Sequence, residues 1–367
     1  MDSSNNTQVS PLRHNSSGDT FHEFGVAVRG AGYFSHTHKD RNFERCSTNK
    51  APIRSHDHEH PESPKGDLPV EELEKICKAL GCIAFTSTTG RLFVRLPEKA
   101  EWIDAEGEDV YEIKDLSPPW HHVDINYHFE AMNINFNSFS YDITFNQDVG
   151  KDINIYLCTF GGNMNTGHFY GGFQTNVGCP ANHGQEAVHR DKGVIFSRWG
   201  RSQPSDVVKA EGSFLECATY EGAFASIRRH LNWTKGRYTV KLEKTAETEE
   251  GTWVSFSVQH SGINVEVGKL FFRGQKPLQL GKWMYSFVEI YGREKVYVSS
   301  KLPTFTMTMS NMKVNGSVVE PSVEVSYWKE SPLYADVYKE SGREDWHVVV
   351  HFGAPFFVSE YPVMRLY

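Results

Sequence analysis

The 367-residue chain lacks any run of about 18 apolar residues, the length needed to span a bilayer. It also lacks a Lys/Arg-rich block, and its formal net charge of −8 argues against binding to nucleic acid or to an anionic membrane surface. Its six cysteines include no Cys-X-X-Cys pair, which argues against a structural zinc site of the usual spacing. We therefore expect no membrane span, no nucleic-acid partner and no cofactor.

Helical periodicity is missing from a long central part of the chain. After the chain-breaking "LSPPW" at 116–120, apolar residues recur at every second position for nearly two hundred residues. In "GRYTVKLEKT", for example, Tyr238, Val240 and Leu242 alternate with polar residues. A period of two indicates half-buried strands, and regular strands without helices between them indicate a sandwich. We predict an all-β fold, a jelly-roll-like β-sandwich over residues 116–316.

Three further regions flank the predicted sandwich. Residues 1–67 are rich in Ser, Asn and His and predict a flexible arm without the apolar segment of a signal peptide. Residues 68–115 predict a small α+β element, with a helix over 70–81 followed by short strands. Residues 317–367 continue the strand pattern and predict additional C-terminal strands packed on the sandwich.

Short patterns in the predicted sandwich resemble a known family. "FYGGFQTN" (169–176), "GVIFSRWG" (193–200), "NWTKGRYTVKL" (232–242) and "WMYSFVEIYG" (283–292) follow one another in an order similar to that of the domain of unknown function 3472 family. The resemblance covers about residues 165–315. It implies a jelly-roll-like sandwich, an association with carbohydrate and an extracellular location, whereas the polar N-terminus favours a cytosolic one.

The helix and hairpin predicted around residues 70–115 resemble the core of PAN/apple-type extracellular modules. Cys77 and Cys82 in "CKALGC" carry that resemblance, although the other cysteines of such modules have no counterpart here. The sequence leaves open whether these two thiols form a disulfide or lie reduced in the core.

The segment "NHGQEAVHRD" contains four potential metal ligands or proton carriers: His183, Glu186, His189 and Asp191. Helical zinc motifs place two histidines four residues apart, so that both rings point to one side. Six residues separate His183 from His189, which would put the rings on opposite sides of a helix. We predict a polar loop between two strands and no metal site.

A second candidate is the acidic stretch "EWIDAE", residues 101–106. Some β-sandwich glycosidases use carboxylates at every second position of one strand, so that all of them face the sugar. The spacing here turns Glu101 away from Asp104 and Glu106. We predict an exposed acidic turn, with a weak calcium site as the alternative.

The matched strands concentrate aromatic rings and planar polar groups, which bind sugars by stacking and by paired hydrogen bonds. Period two places Arg198 and Trp199 on opposite faces of their strand. For Trp199 and Trp233, burial in the core is the favoured interpretation. The predicted ligand-binding residues are Tyr170, Gln174, Asn176, Arg198, Glu216, Arg228 and Glu289.

These residues predict a soluble, lectin-like protein that binds a carbohydrate or similar polar ligand without transforming it. A polysaccharide lyase or hydrolase is the first alternative, since His168, Tyr170, Gln174 and Arg198 supply the residue types of lyase chemistry. The second is a structural or self-assembling protein that oligomerises through its strand edges.

Overall fold

Three antiparallel sheets and one α-helix make up the part of the chain that the computed structural model describes. The described residues are 43–52, 59, 63–64, 68–80, 82, 84–93, 102–113, 121–130, 134–164, 167–178, 191–219, 222–274, 276–291, 303–327, 333–340, 342–356 and 363–366. Two of the sheets are large and form a β-sandwich, which confirms the predicted all-β class.

The smallest sheet has four strands in the order β1-β4-β2-β3. They are β1 (Phe43–Pro52), β2 (Ala84–Thr86), β3 (Leu92–Phe93) and β4 (Trp102–Ile113). Helix α1 (Val70–Leu80) has Glu71 and Glu72 in its first turn, where negative charge favours a helix N-terminus, and it buries Leu73 and Cys77 on one face. Leu73 and Cys77 belong to the same contiguous core as the sandwich, so this element packs onto the large sheets.

The ten-stranded sheet runs in the order β12-β13-β10-β9-β8-β17-β5-β20-β23, with β6 paired to β17. Its strands are β5 (Val123–His128), β6 (Ile134–Asn135), β8 (Ile155–Met164), β9 (Gly167–Gln174), β10 (Gly193–Trp199), β12 (Ser213–Ala218), β13 (Phe224–His230), β17 (Gln279–Ile290), β20 (Ser322–Tyr327) and β23 (Val363–Arg365).

The nine-stranded sheet runs in the order β11-β16-β15-β14-β7-β18-β22-β21, with β19 paired to β18. Its strands are β7 (Ser138–Phe145), β11 (Val207–Lys209), β14 (Gly236–Thr248), β15 (Gly251–His260), β16 (Ile263–Arg273), β18 (Phe305–Val314), β19 (Ser317–Val318), β21 (Leu333–Tyr338) and β22 (His347–Phe356). A short 3-10 helix, Pro204–Asp206, leads into β11.

The inner faces of the two large sheets form one hydrophobic core. Phe173 and Phe196 from the ten-stranded sheet meet Tyr238 and Phe256 from the nine-stranded sheet. Trp233 is fully buried in this core, as favoured from the sequence, and its indole Nε1 donates to the Gln174 carbonyl oxygen at 3.1 Å. Each large apolar side chain buried in this way contributes about 1.5–3 kcal/mol to folding.

Two segments differ from their sequence-based predictions, and the strands predicted at the C-terminal end join the sandwich. Residues Phe43–Pro52, placed in the flexible arm, form β1 because they pair with β4. The acidic stretch predicted as a turn lies in β4 from Trp102 onward, with Asp104 opposite Lys50. The strands after residue 317 enter both large sheets, since β20 pairs with β5 and β22 pairs with β18.

Cys77 and Cys82 are both buried and form no disulfide with each other, and Cys77 Sγ donates to the Ala84 carbonyl oxygen at 3.5 Å. In the described part of the chain, no helix is long and apolar enough to cross a membrane.

Candidate functional site

The candidate site is the outer face of the ten-stranded sheet, which points away from the nine-stranded sheet. Alternation at the start of β8 builds this face: Ile155 and Leu157 enter the core between the sheets, so Tyr156 and Cys158 point outward, and a bulge after Cys158 returns Phe160 to the core. Tyr156 and Cys158 lie in a second, smaller apolar cluster on the outer face. Both faces of the sheet therefore carry apolar side chains, which is unusual for an antiparallel sheet with one solvated side.

A row of polar side chains crosses the centre of the outer face. Gln174 on β9 lies directly opposite Tyr156 on β8, which lies opposite Glu289 on β17. Directly opposed residues in antiparallel strands have Cβ atoms about 4.5–5.5 Å apart, so these three side chains are neighbours. We call Gln174, Tyr156 and Glu289 the polar row. Gln174 and Glu289 were predicted from the sequence as ligand-binding residues, and Tyr156 was not.

Two atoms of the polar row, Tyr156 Oη and Gln174 Oε1, are buried without a hydrogen bond of standard geometry, and Tyr156 Oη has only the thiol of Cys158 as a weak partner. Tyr156 is 2% exposed and Gln174 is 6% exposed. Burial raises the pKa of Tyr156 well above its usual value, so its hydroxyl stays protonated and available as a donor at neutral pH. An unsatisfied buried polar atom costs about 1–3 kcal/mol, and such atoms in native proteins call for an explanation.

Beside the polar row, half-buried rings form a continuous strip across four strands. Trp199 contacts Tyr170 at 4.3 Å and His168 at 5.8 Å between ring centroids. His168 stacks on Tyr285 at 5.5 Å, and Tyr285 contacts Trp283 at 5.7 Å. We call these five residues the aromatic strip. All five remain partly exposed, so solvent reaches the strip.

Glycine on β8 makes the strip continuous. Gly161 lies between Tyr170 on β9 and Tyr285 on β17 in the register of the sheet. A Cβ added at Gly161 would lie 2.3 Å from the Tyr285 ring, so only glycine lets that ring lie over the strand. The Tyr285 ring thereby reaches from β17 across β8 and contacts His168 on β9.

His168 and Tyr285 are joined by a hydrogen bond of 2.6 Å between His168 Nε2 and Tyr285 Oη. His168 Nδ1 lies 3.3 Å from Asn163 Oδ1. Burial lowers the pKa of His168, which favours the neutral ring, and burial raises the pKa of Tyr285. A neutral His168 ring satisfies both contacts: its Nδ1–H donates a hydrogen bond to Asn163 Oδ1, and its Nε2 accepts a hydrogen bond from the Tyr285 hydroxyl. The pair holds both rings in place within the strip.

Two predicted ligand-binding residues, Glu216 and Arg228, form an ion pair near one edge of the outer face. Arg228 Nη1 also donates to the Gly178 carbonyl oxygen at 3.0 Å. Asn176 lies just after β9, where its Nδ2 donates to Asn154 Oδ1 at 2.7 Å and to the Lys151 carbonyl oxygen at 3.0 Å. These contacts orient the three side chains around the end of β9, beside Gln174.

Arg198, also predicted to bind the ligand, does not lie on this face with the other predicted residues. Its side chain is directed toward the nine-stranded sheet, where Nη2 lies 3.0 Å from Asp206 Oδ2. Arg273 on β16 contacts the same carboxylate at 2.9 Å, and Asp206 is fully buried. The cluster ties the two sheets together, because a buried carboxylate needs charged partners. Trp199 lies on the opposite side of β10, as period two predicts, but it is half-buried on the outer face and not in the core.

The segment 179–190, with His183, Glu186 and His189, lies outside the described residues. Asp191, the last member of the predicted loop, accepts from Lys151 Nζ at 3.0 Å and from its neighbour's backbone N–H at 2.8 Å. Because β9 and β10 are adjacent and antiparallel, the segment joins two neighbouring strands. No group of three or more potential metal ligands occurs within the described ranges.

Sequence reasoning missed Tyr156, Tyr285 and Trp283. Trp283, Tyr285, Phe287 and Glu289 recur at every second position of "WMYSFVEIY", a signal that marks a shared face. In "INIYLCTF" the signal is masked, because apolar residues occupy both faces of β8 and the alternation disappears.

No protein-family model matches the chain, and no curated protein matches it. Among solved structures, it is similar to scytalido-glutamic peptidase with a transition state analog inhibitor, at 8% identity and a TM-score of 0.34 over 64% of this chain and 100% of that chain. It is also similar to SCP-B, a member of the eqolisin family of peptidases in a complex with the tripeptide Ala-Ile-His, at 9% identity and a TM-score of 0.31 over 63% of this chain and 98% of that one. Values this low transfer neither an activity nor a residue's role.

Proposed function

We propose that the outer face of the ten-stranded sheet binds carbohydrate without transforming it. The observation that carries the proposal is the aromatic strip, five half-buried rings that border a buried polar row. Sugars present C–H faces that stack on aromatic rings and hydroxyls that pair with planar polar groups. The outer face supplies both kinds of contact side by side.

The polar row supports the same ligand class. In the free protein Gln174 Oε1 has no hydrogen-bond partner and Tyr156 Oη has only the weakly bonding Cys158 thiol, so burial of both atoms costs free energy. A ligand hydroxyl can donate to Gln174 Oε1 and accept from Tyr156 Oη at the same time, because a hydroxyl is both donor and acceptor. A polyhydroxylated ligand thus satisfies both groups, whereas an apolar ligand would leave them unpaired.

The geometry favours binding over the two catalytic alternatives. The residue set for a lyase is divided, because Arg198 lies on the inner side while His168, Tyr170 and Gln174 lie on the outer face. The two predicted carboxylates, Glu216 on β12 and Glu289 on β17, are separated by five strand spacings, or about 24 Å. A glycosidase acid and its partner lie about 5–9.5 Å apart, so these two cannot act together.

Self-assembly through a large apolar patch has less support. Among the described residues, the large apolar side chains that are strongly exposed are Ile103, Val208, Ile263 and Val318. They lie on four different strands, β4, β11, β16 and β19. Exposed apolar residues scattered singly are ordinary on soluble proteins.

The experiment that tests the proposal is a glycan array, with and without calcium, on the full chain and two variants. Trp199→Ala removes a ring from the aromatic strip. The matched control is Trp253→Ala, which removes a half-buried tryptophan from the outer face of the nine-stranded sheet. We expect Trp199→Ala to weaken glycan binding roughly tenfold to a hundredfold, the loss expected for about 1–3 kcal/mol, and Trp253→Ala to leave it unchanged. Equal losses in both variants, or no bound glycan, would contradict the proposal.

A further inference from the structure

Beyond the aromatic strip, the outer face continues into a polar groove on β5, β20 and β23. Its lining residues are His128, Ser322, Val323, Glu324 and Arg365, and its volume is about 310 Å³. Ligand-binding clefts begin at roughly this size, about 300 Å³. The groove is therefore large enough to hold a small ligand group.

The groove is directly continuous with the aromatic strip through the register of the sheet. Trp283, at one end of the strip, lies opposite His128, and His128 lies opposite Ser322. One row further on, Tyr285 lies opposite Asn126, which lies opposite Glu324. The strip and the groove consequently form one surface that crosses the strands without interruption.

The surface is long in the direction across the strands. Trp199 stands on β10 and Glu324 on β20, with β9, β8, β17 and β5 between them. Five strand spacings of about 4.8 Å add up to about 24 Å, several times the width of one sugar ring. A monosaccharide could occupy only a fraction of this surface.

The chemistry of the groove differs from that of the strip. Glu324 and Arg365 lie directly opposite each other, yet neither forms an ion pair with another described residue. Arg365, His128 and Ser322 are exposed, and Glu324 is half-buried. A carboxylate and a guanidinium side by side accept from and donate to neighbouring hydroxyls, a pattern suited to a sugar ring held by its edge.

We infer that this groove is a second subsite of the same binding face and that the ligand is a linear oligosaccharide lying across the strands. Its interior units stack on the aromatic strip, and one terminal unit enters the groove. The inference rests on the proposed function and adds to it the chain form of the ligand and the residues that read its end.

Chain-length dependence tests the inference. The affinities of one- to six-unit ladders of β-1,4-linked glucan and α-1,4-linked galacturonan are measured by titration calorimetry. The proteins compared are the unmodified chain, the double variant Glu324→Ala/Arg365→Ala, and the control Lys241→Ala/Glu243→Ala, which removes an exposed pair from the other large sheet. Thermal unfolding verifies that all three are folded.

We expect the affinity of the unmodified chain for at least one ladder to rise tenfold or more with length. The groove variant should lose this gain while it binds short oligomers as before, and the control should match the unmodified chain. Equal affinity for all lengths, or an equal loss for short and long oligomers in the groove variant, would overturn the second subsite alone. No binding of any oligomer would instead contradict the carbohydrate proposal itself.

Discussion

The outer faces of the two large sheets differ in composition, although inward and outward side chains alternate along the strands of both, apart from bulges. The outer face of the nine-stranded sheet is mostly polar, as Ser140, Thr239, Lys241 and Ser255 show, and it carries one ring pair, Trp253 and Phe271 at 4.8 Å. The outer face of the ten-stranded sheet carries the aromatic strip and a buried apolar cluster. The proposed binding face is therefore the more aromatic of the two outer faces.

The two faces also differ in how their buried polar groups are satisfied. On the nine-stranded sheet, Asp142 accepts from Thr239 Oγ1 at 2.6 Å, from Asn311 Nδ2 at 2.8 Å and from Arg237. Burial alone would raise the pKa of Asp142, but these hydrogen bonds hold it below its usual value. On the ten-stranded sheet, Tyr156 and Gln174 keep unsatisfied atoms. A complete network stabilises the fold, whereas an incomplete one is suited to a ligand.

The largest expected loss of stability comes from disrupting the charge cluster between the two large sheets. Asp206→Ala leaves the buried Arg198 without its partner and should destabilise the protein by about 3–5 kcal/mol. Chemical denaturation measures the change. The control Arg201→Ala, which removes a half-exposed side chain 3.4 Å from the same carboxylate, should cost far less. Similar losses in both variants would show that Asp206 is not buried in a charged cluster.

The pH dependence of stability should distinguish buried His122 from half-buried His168 on the outer face. Burial, followed by the charge of His121, lowers the pKa of His122 to about 3. Its unfolded pKa is about 6.5, so the unfolded chain takes up the proton first and stability falls as pH decreases below 6.5. The loss between pH 7 and pH 4 should be about 3 kcal/mol. His122→Phe should remove most of that loss, while His168→Gln should affect glycan binding more than acid stability. Unchanged acid sensitivity in His122→Phe would contradict the assignment.

Removing the unsatisfied hydroxyl of the polar row should stabilise the protein and weaken binding together. Tyr156→Phe removes a buried hydroxyl that has only the Cys158 thiol as a weak partner, and should raise the free energy of unfolding by about 1 kcal/mol. Tyr141→Phe is the control, because its hydroxyl is equally buried but lies on the inner side of the nine-stranded sheet, where it bonds to Thr159 and Ser286. Only Tyr156→Phe should gain stability and lose glycan affinity. If glycan affinity falls equally in both variants, the polar row does not contribute specifically to glycan binding.

The smallest effect should come from the polar face of the nine-stranded sheet. Lys241→Ala breaks an exposed pair with Glu243 at 2.8 Å, an interaction worth about 0–1 kcal/mol. We expect a change in stability within about 0.5 kcal/mol and no change in glycan binding. Thermal unfolding and the glycan array measure both. A clear loss of glycan binding would extend the binding surface to the second sheet and erase the contrast between the faces.

Local patterns in the sequence were sufficient for the fold class and for part of the candidate site. Period two predicts the strands of the sandwich and the separation of Arg198 from Trp199, because side-chain direction in a strand follows from the backbone of a few residues. Helix α1 follows from the spacing of Leu73 and Ile76 in the same way. The placement of Tyr170, Gln174 and Glu289 on matched strands could therefore be proposed without coordinates.

Only the tertiary structure decided which strands are neighbours and which face of each is enclosed. The order β9-β8-β17 brings Gln174, Tyr156 and Glu289 into one row, although more than a hundred residues separate the last two in sequence. Arg198 finds its partners in Asp206 and Arg273 for the same reason. The alternation of apolar and polar residues shows that a strand has two faces, but where apolar residues occupy both faces it does not show which one is buried against the other sheet. The choice of the buried face depends on long-range pairing, because burial is a property of the whole packed chain and not of any single segment.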